Sequence, residues 1–92
     1  MMERFKKGYF ARSKAGHDKD TLYVILDRDD RFVYLSDGRL KTVSNPKKKK
    51  EKHLQFIASQ AEEVIAKMNS GLEVTDGDVR RSLKLYNQNN HF

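Results

Sequence analysis

The chain has 92 residues, of which 37% are apolar and 35% charged, with a formal net charge of +6 and no cysteine. That length makes one small domain, with an appendage at most. Its core is modest, since a domain of this size buries only about 60–70% of its unfolded surface. The composition excludes a disulfide staple and a thiolate metal site, and no apolar run approaches the roughly 18 residues that cross a membrane.

The N-terminus, Met1-Met2-Glu3-Arg4-Phe5-Lys6-Lys7, is basic with no apolar stretch behind it, so no signal peptide is expected and a cytoplasmic location is. Residues 9–14 make a candidate first strand. Residues 22–26, Leu22-Tyr23-Val24-Ile25-Leu26, are rich in β-formers and predict the second. Asp27-Arg28-Asp29-Asp30 is turn chemistry, and Phe32-Val33-Tyr34-Leu35 follows as a third strand in a hairpin with the second. Ser36-Asp37-Gly38-Arg39 is the strongest turn signal in the chain, because Asp-Gly reaches the positive φ angles of a tight hairpin at low cost. Residues 40–43 then predict a fourth strand, ended by Asn45-Pro46, and Leu54-Gln55-Phe56-Ile57 a fifth. Five short strands in so little chain suggest a small barrel, which removes exposed sheet edges by closing.

The period then changes. Ala61, Val64, Ile65 and Met68 fall on one helical face, Ser59 and Glu62 have the spacing of a capping box, and Asn69-Ser70-Gly71 ends the helix. A second helix starts at Thr75, with Asp78 at the reciprocal box position and Val74 and Val79 placed as a hydrophobic staple. Val79, Leu83 and Tyr86 form its apolar stripe, Arg80, Arg81 and Lys84 occupy other faces, and Asn87-Gln88-Asn89-Asn90 is expected to fray. Neither helix is long enough to be stable alone, so the two are expected to pack their stripes on each other or on the barrel.

Charge divides along the same line. Residues 1–57 carry 15 Lys/Arg against 8 Asp/Glu, a net of +7; residues 58–92 carry 4 against 5, a net of −1. The expected organisation is a basic barrel over 1–57 and a near-neutral two-helix appendage over 58–92.

Two basic elements are candidates for phosphate binding. In the first, Gly16 permits a tight loop while Lys14, His17 and Lys19 supply donors around it. The competing reading is a hairpin loop with solvated charges. The second is the run Lys47, Lys48, Lys49, Lys50, Lys52 and His53, in which each cation is able to neutralise one phosphate. Here the alternative is a solvated, mobile loop that keeps the protein in solution. The run has no interleaved apolar residues, which argues against a membrane surface. Arg39 and Lys41 add cations at the Asp-Gly turn. Tyr9, Phe10, Tyr23, Phe32, Tyr34 and Phe56 read mostly as core, with Tyr9 or Tyr34 available to stack on an unpaired base.

Enzymatic chemistry finds little support. His17, His53 and His91 lie far apart without metal-ligand spacing, and Asp27, Asp29 and Asp30 lack the glycine and distal glutamate of a calcium loop. No Walker pattern or nucleophile elbow occurs. No catalytic residue, metal or cofactor is expected.

Ser13-Lys14-Ala15-Gly16-His17-Asp18-Lys19-Asp20-Thr21-Leu22-Tyr23-Val24-Ile25 resembles the KOW motif, which links two strands of a small SH3-like barrel in ribosomal proteins and transcription elongation factors. Residues 34–40, the lysine run and Val74-Thr75-Asp76-Gly77-Asp78-Val79-Arg80 extend the likeness to bacterial KOW-domain RNA-binding proteins. Those are described as similar to the fourteen-e, six-e and twenty-seven-e large-subunit ribosomal proteins. Asp20 departs from the pattern, standing where many such motifs have a second glycine, and Tyr23 stands where a glycine is also common. The resemblance implies a mainly β chain, a five-stranded SH3-like (KOW) barrel followed by two short C-terminal α-helices. It implies a non-catalytic RNA-binding protein, ribosomal or ribosome-associated, monomeric outside its complex, with ribosomal RNA as partner. The other reading is a protein-interaction module of a transcription or translation complex, with ribosomal or transcription proteins docking on the helices.

Overall fold

The computed structural model describes residues 4–90. Met1, Met2, Glu3, His91 and Phe92, and with them the readings of the extreme N-terminus and the third histidine, lie outside the described residues. Five strands come first: β1 (Tyr9–Ser13), β2 (Leu22–Arg28), β3 (Val33–Ser36), β4 (Lys47–Lys49) and β5 (Leu54–Gln60). A 3-10 turn, Glu51–His53, joins β4 to β5, and α1 (Glu62–Asn69) and α2 (Asp76–Asn89) follow. No helix among the described residues is long and apolar enough to cross a membrane.

All strand pairings are antiparallel, in the order β4-β3-β2-β1-β5. The expected closure is not made. β4 and β5 are the two edges, and no ladder joins them among the described residues. β4 offers only three residues, all paired with β3, before the chain turns away to reach the outer side of β1.

The apolar run of β2 is continuous because both faces of the sheet are covered. Tyr23 and Ile25 point into one cluster with Phe5, Ala11, Val33, Leu35 and Leu54. Leu22, Val24 and Leu26 point into the other, with Phe10, Ile57 and the helices' Ala61, Val64, Met68, Val79, Leu83 and Tyr86. The helices therefore form a second layer on the sheet. Burying Val64 and Val79 completely contributes about 1.5–3 kcal/mol each, so packing holds these short helices where propensity alone does not.

Several local expectations are corrected. Residues 40–43 are not a strand: Leu40 is 87% exposed, and side chains rather than a ladder take up the backbone groups. The Asp37 carboxylate accepts from the N–H groups of Arg39 and Lys41 (2.9 Å each), and Ser36 Oγ donates to the Lys41 carbonyl (2.7 Å). The Val43 N–H donates to Asp76 Oδ1 (2.8 Å). The fourth strand is the lysine run itself, Lys47, Lys48 and Lys49 pairing with Leu35, Tyr34 and Val33. It is not a mobile loop, and Asn45-Pro46 precedes β4 instead of ending it. At the other edge, β5 continues past residue 57 to Gln60, which pairs with Tyr9 across a register shift. The Ser59–Glu62 capping box is consequently absent. Ser59 is a strand residue, the Ala61 N–H donates to the Gly8 carbonyl (2.7 Å), and Ala61 caps α1 without a side-chain bond.

α2 keeps its Thr75–Asp78 box, with the Asp78 N–H donating to Thr75 Oγ1 (3.2 Å) and the Thr75 N–H to Asp78 Oδ2 (2.9 Å). Val74 packs against the helical cluster that contains Val79, consistent with the staple. The helix does not fray at Asn87 but runs to Asn89.

Candidate nucleic-acid interface

The β1–β2 connection is built by its own backbone. The Asp20 N–H donates to the Ser13 carbonyl (2.8 Å) and the Ser13 N–H to the Thr21 carbonyl (3.0 Å), closing the ladder. Inside it, the Lys19 N–H donates to the Gly16 carbonyl (3.2 Å) and the Thr21 N–H to the Asp18 carbonyl (2.9 Å). Gly16 has φ +91°, and a Cβ there would meet only ordinary contacts, 3.5 Å from Asp18 and 3.7 Å from Lys49. Backbone conformation, not lack of space, requires the glycine. Asp20 also sits in the left-handed region, φ +75°, the conformation a glycine at that position would supply. Its carbonyl accepts from Arg12 Nη1 (2.9 Å). Gly16→Val is expected to cost about 1–3 kcal/mol through strain at this angle, read as a lower thermal midpoint together with weaker RNA binding. A variant that melts and binds like the parent would show that the loop is less constrained than its angle indicates.

The loop is also tied to β4, the edge strand that β3 separates from β2. Lys49 Nζ reaches Asp18 Oδ1, Ser13 Oγ (2.7 Å) and the Ala15 carbonyl (2.8 Å). Asp18 accepts further bonds from Ser13 Oγ (2.9 Å) and the Tyr23 hydroxyl (2.7 Å). Burial pushes the Asp18 carboxyl up, but the hydrogen bonds from Lys49, Tyr23 and Ser13 and the charge of Lys49 outweigh it and hold it well below the usual carboxylate range. Burial and the neighbouring Asp18 push the Tyr23 phenol up. Lys49, expected beside its neighbours as a phosphate contact, instead has its ammonium engaged by three acceptors of the loop. Its place is that of a positioning residue.

The remaining cations divide into two groups. Lys14, His17, Lys19, Lys48, Lys50 and Lys52 are exposed, while Lys47 and His53 are half-buried. The Lys14 N–H donates to the His53 carbonyl (2.8 Å), so the loop and the 3-10 turn lie against each other. Lys14 and Lys52 line one open cleft of about 1210 Å³ together with Arg4 and Phe56. Arg28 also lines it but is paired with Glu51 (2.6 Å). Lys48 stands over the Phe32 ring, 4.9 Å from its centroid. Arg39 belongs elsewhere, on the β3–β4 loop beside α2.

No family model matches the chain, and no curated protein is significantly similar to it. The site therefore rests on its own geometry.

The aromatic side chains are largely engaged. Phe56 packs on Phe5 and Tyr9 (centroids 5.4 and 5.6 Å), Phe10 packs on Tyr86 (4.8 Å), and Tyr23 is committed to Asp18. Tyr9 Oη accepts from Gln60 Nε2 (3.0 Å), and the Tyr34 hydroxyl donates to Asp29 Oδ2 (2.6 Å). Asp29 also accepts from the N–H groups of Arg31 and Phe32 (2.8 Å each), and these bonds, Tyr34's first, hold its carboxyl down at about 2. The acidic stretch is thus organised as a turn cap. Among the described residues no three histidine or acidic side chains gather as a metal site.

Sequence reasoning missed Ser13, Asp18 and Tyr23 as positioning residues. Their only local signal is a buried-type aspartate next to basic residues, and its partner lies 31 positions away.

Proposed function

We propose that this protein binds RNA without catalysing a reaction, as a ribosomal or ribosome-associated protein of the KOW type, and that its sheet is an SH3-like barrel in outline. The observation that carries the reading is the contact between two sequence-distant basic segments. Lys14 bonds to His53 through the backbone, and Lys14 and Lys52 share a cleft, so the loop and the lysine run present their exposed cations together. Such a surface suits phosphates and RNA shape more than base edges. The strand order supports the fold reading, because a small barrel needs its first strand between the second and the last.

The test is a filter-binding titration of an RNA hairpin with single-stranded flanks at several salt concentrations. K47A/K48A/K50A/K52A, which keeps Lys49, is expected to reduce the log–log salt slope by about 3, from about 0.7–0.9 per lost phosphate contact. An unchanged slope would sink the assignment.

A second reading, a protein-interaction module, is favoured by Leu72 and Leu85, 60% and 54% exposed on the helical layer. Separate leucines are ordinary on protein surfaces, so this reading stands second. RNase digestion of a lysate distinguishes the two: release of the protein from its high-mass complex supports RNA, and retention supports a protein partner.

A further inference from the structure

We propose a second RNA-backbone contact surface, formed by the outer face of α2 and the β3–β4 loop; it rests on the RNA reading and extends it to the helical layer. The net charge of residues 58–92 conceals how charge is sorted along α2. Asp76 and Asp78 stand in its first turn, and residues 79–90 contain Arg80, Arg81 and Lys84 with no acid. The first-turn acids are used internally, Asp76 by the Val43 N–H and Asp78 by Thr75, Lys67 and Arg81. Arg81 is drawn to Glu63 (2.7 Å) and Asp78 (2.6 Å). Arg39 and Lys84 are exposed, and no hydrogen bond or ion pair engages their side chains among the described residues.

These two cations line a groove of about 840 Å³ together with Arg80, Arg81, Asn87, Gln88 and a half-buried Leu83. Among the described residues Asp37 is the one acid lining it, and its Oδ1 already accepts from two backbone N–H groups. The two sides of the groove touch each other directly. Arg80 Nη1 donates to the Gly38 carbonyl (2.7 Å), and a Cβ at Gly38 would lie 2.6 Å from the Asp76 carbonyl oxygen. The loop backbone that carries Arg39 is thereby held beside α2, while the Arg39 side chain itself stays unengaged among the described residues.

Guanidinium, ammonium and carboxamide donors, with no aromatic side chain beside them among the described residues, match a sugar–phosphate backbone. A protein partner normally seats an apolar or aromatic anchor, and Leu83 is the one apolar side chain lining the groove among the described residues. The backbone of the described residues extends about 34 Å along its longest axis, a distance that one folded RNA reaches across.

The experiment pairs R39Q/K84Q with K47A/K48A/K50A/K52A, using the same RNA hairpin with single-stranded flanks. R39Q/K84Q is expected to weaken binding about tenfold and to lower the salt slope by about 1.4–1.8, two phosphate contacts' worth, with its thermal midpoint unchanged. If only the lysine-run variant flattens the slope, the groove inference is overturned while the RNA reading stands. If the parent protein binds no RNA, both fall. If R39Q/K84Q leaves RNA binding intact but weakens binding of polyglutamate, the groove is a site for acidic protein and the inference is overturned. Ultraviolet crosslinking of the parent protein to the hairpin requires no variant: nucleotide adducts on residues 79–90 are expected, and adducts confined to residues 12–19 and 47–53 would contradict the proposal.

Discussion

Asp78→Ala is expected to lower stability by about 3 kcal/mol, the largest single effect outside the apolar core. Asp78 is fully buried. Its Oδ2 accepts from Lys67 Nζ of α1 (2.7 Å) and the Thr75 N–H (2.9 Å), and its Oδ1 from Arg81 Nη2 (2.6 Å). One carboxylate therefore caps α2 and ties α2 to α1. Removing one partner of a buried pair typically costs about 3–5 kcal/mol and losing a cap about 0.5–2 kcal/mol. Lys67 retains enough solvent contact, 30%, to rehydrate, which places the sum at the lower end. A domain of this size has about 5–14 kcal/mol in total, so the loss is a large share of it. Urea titration is the measurement, and a midpoint within experimental error of the parent's would refute the role. The pH dependence has a definite sign. The Lys67 bond first, then the Thr75 N–H, hold the Asp78 carboxyl well below the usual carboxylate range. A depressed carboxyl stabilises the fold fully above the unfolded value near 4 and loses that contribution as pH falls toward the folded value. The parent is therefore expected to lose stability from about pH 5 downward, and Asp78→Asn to lose less over the same interval.

Lys49→Met is expected to cost about 2–3 kcal/mol and to leave the salt slope of RNA binding nearly unchanged. The substitution strands the Asp18 carboxylate, 17% exposed, beside Ser13 and Tyr23 without its counter-charge. Adding Asp18→Asn is expected to recover part of the loss, since the double variant no longer contains an unpaired charge; a thermodynamic cycle from urea midpoints measures the coupling. Lys48 provides the comparison. It is exposed, and Lys48→Ala is expected to lower the slope by about 0.7–0.9. An equal drop in Lys49→Met would make Lys49 a phosphate contact and remove its assigned role in holding the loop.

The parts legible in the sequence are those whose signals are local. The Leu22–Leu26 run reads as a strand because its residues are β-formers, and it is one. Thr75 and Asp78 sit three positions apart and form their box because a capping box involves one turn of helix. Gly16 marks a positive φ angle because few other residues reach it cheaply. Misreadings arose where a distant partner decides. Residues 40–43 look like a strand after an Asp-Gly turn, yet the Val43 N–H is taken by Asp76, 33 positions away. Lysines carry no strand signal, yet Lys47–Lys49 pair with the free edge of β3, whose backbone groups need partners whatever side chains the incoming segment bears.

The sequence by itself determined a small cysteine-free chain with a basic first part, two buried-type strand runs, a glycine loop and two amphipathic helices. All of these follow from composition and short-range pattern. Only the tertiary structure decided which charges are available. It placed Lys49 against Asp18, Arg81 against Glu63 and Asp78, and Arg39 in one groove with Lys84. Net charge counts every cation equally, whereas an ion pair depends on distance and burial, and the fold sets both.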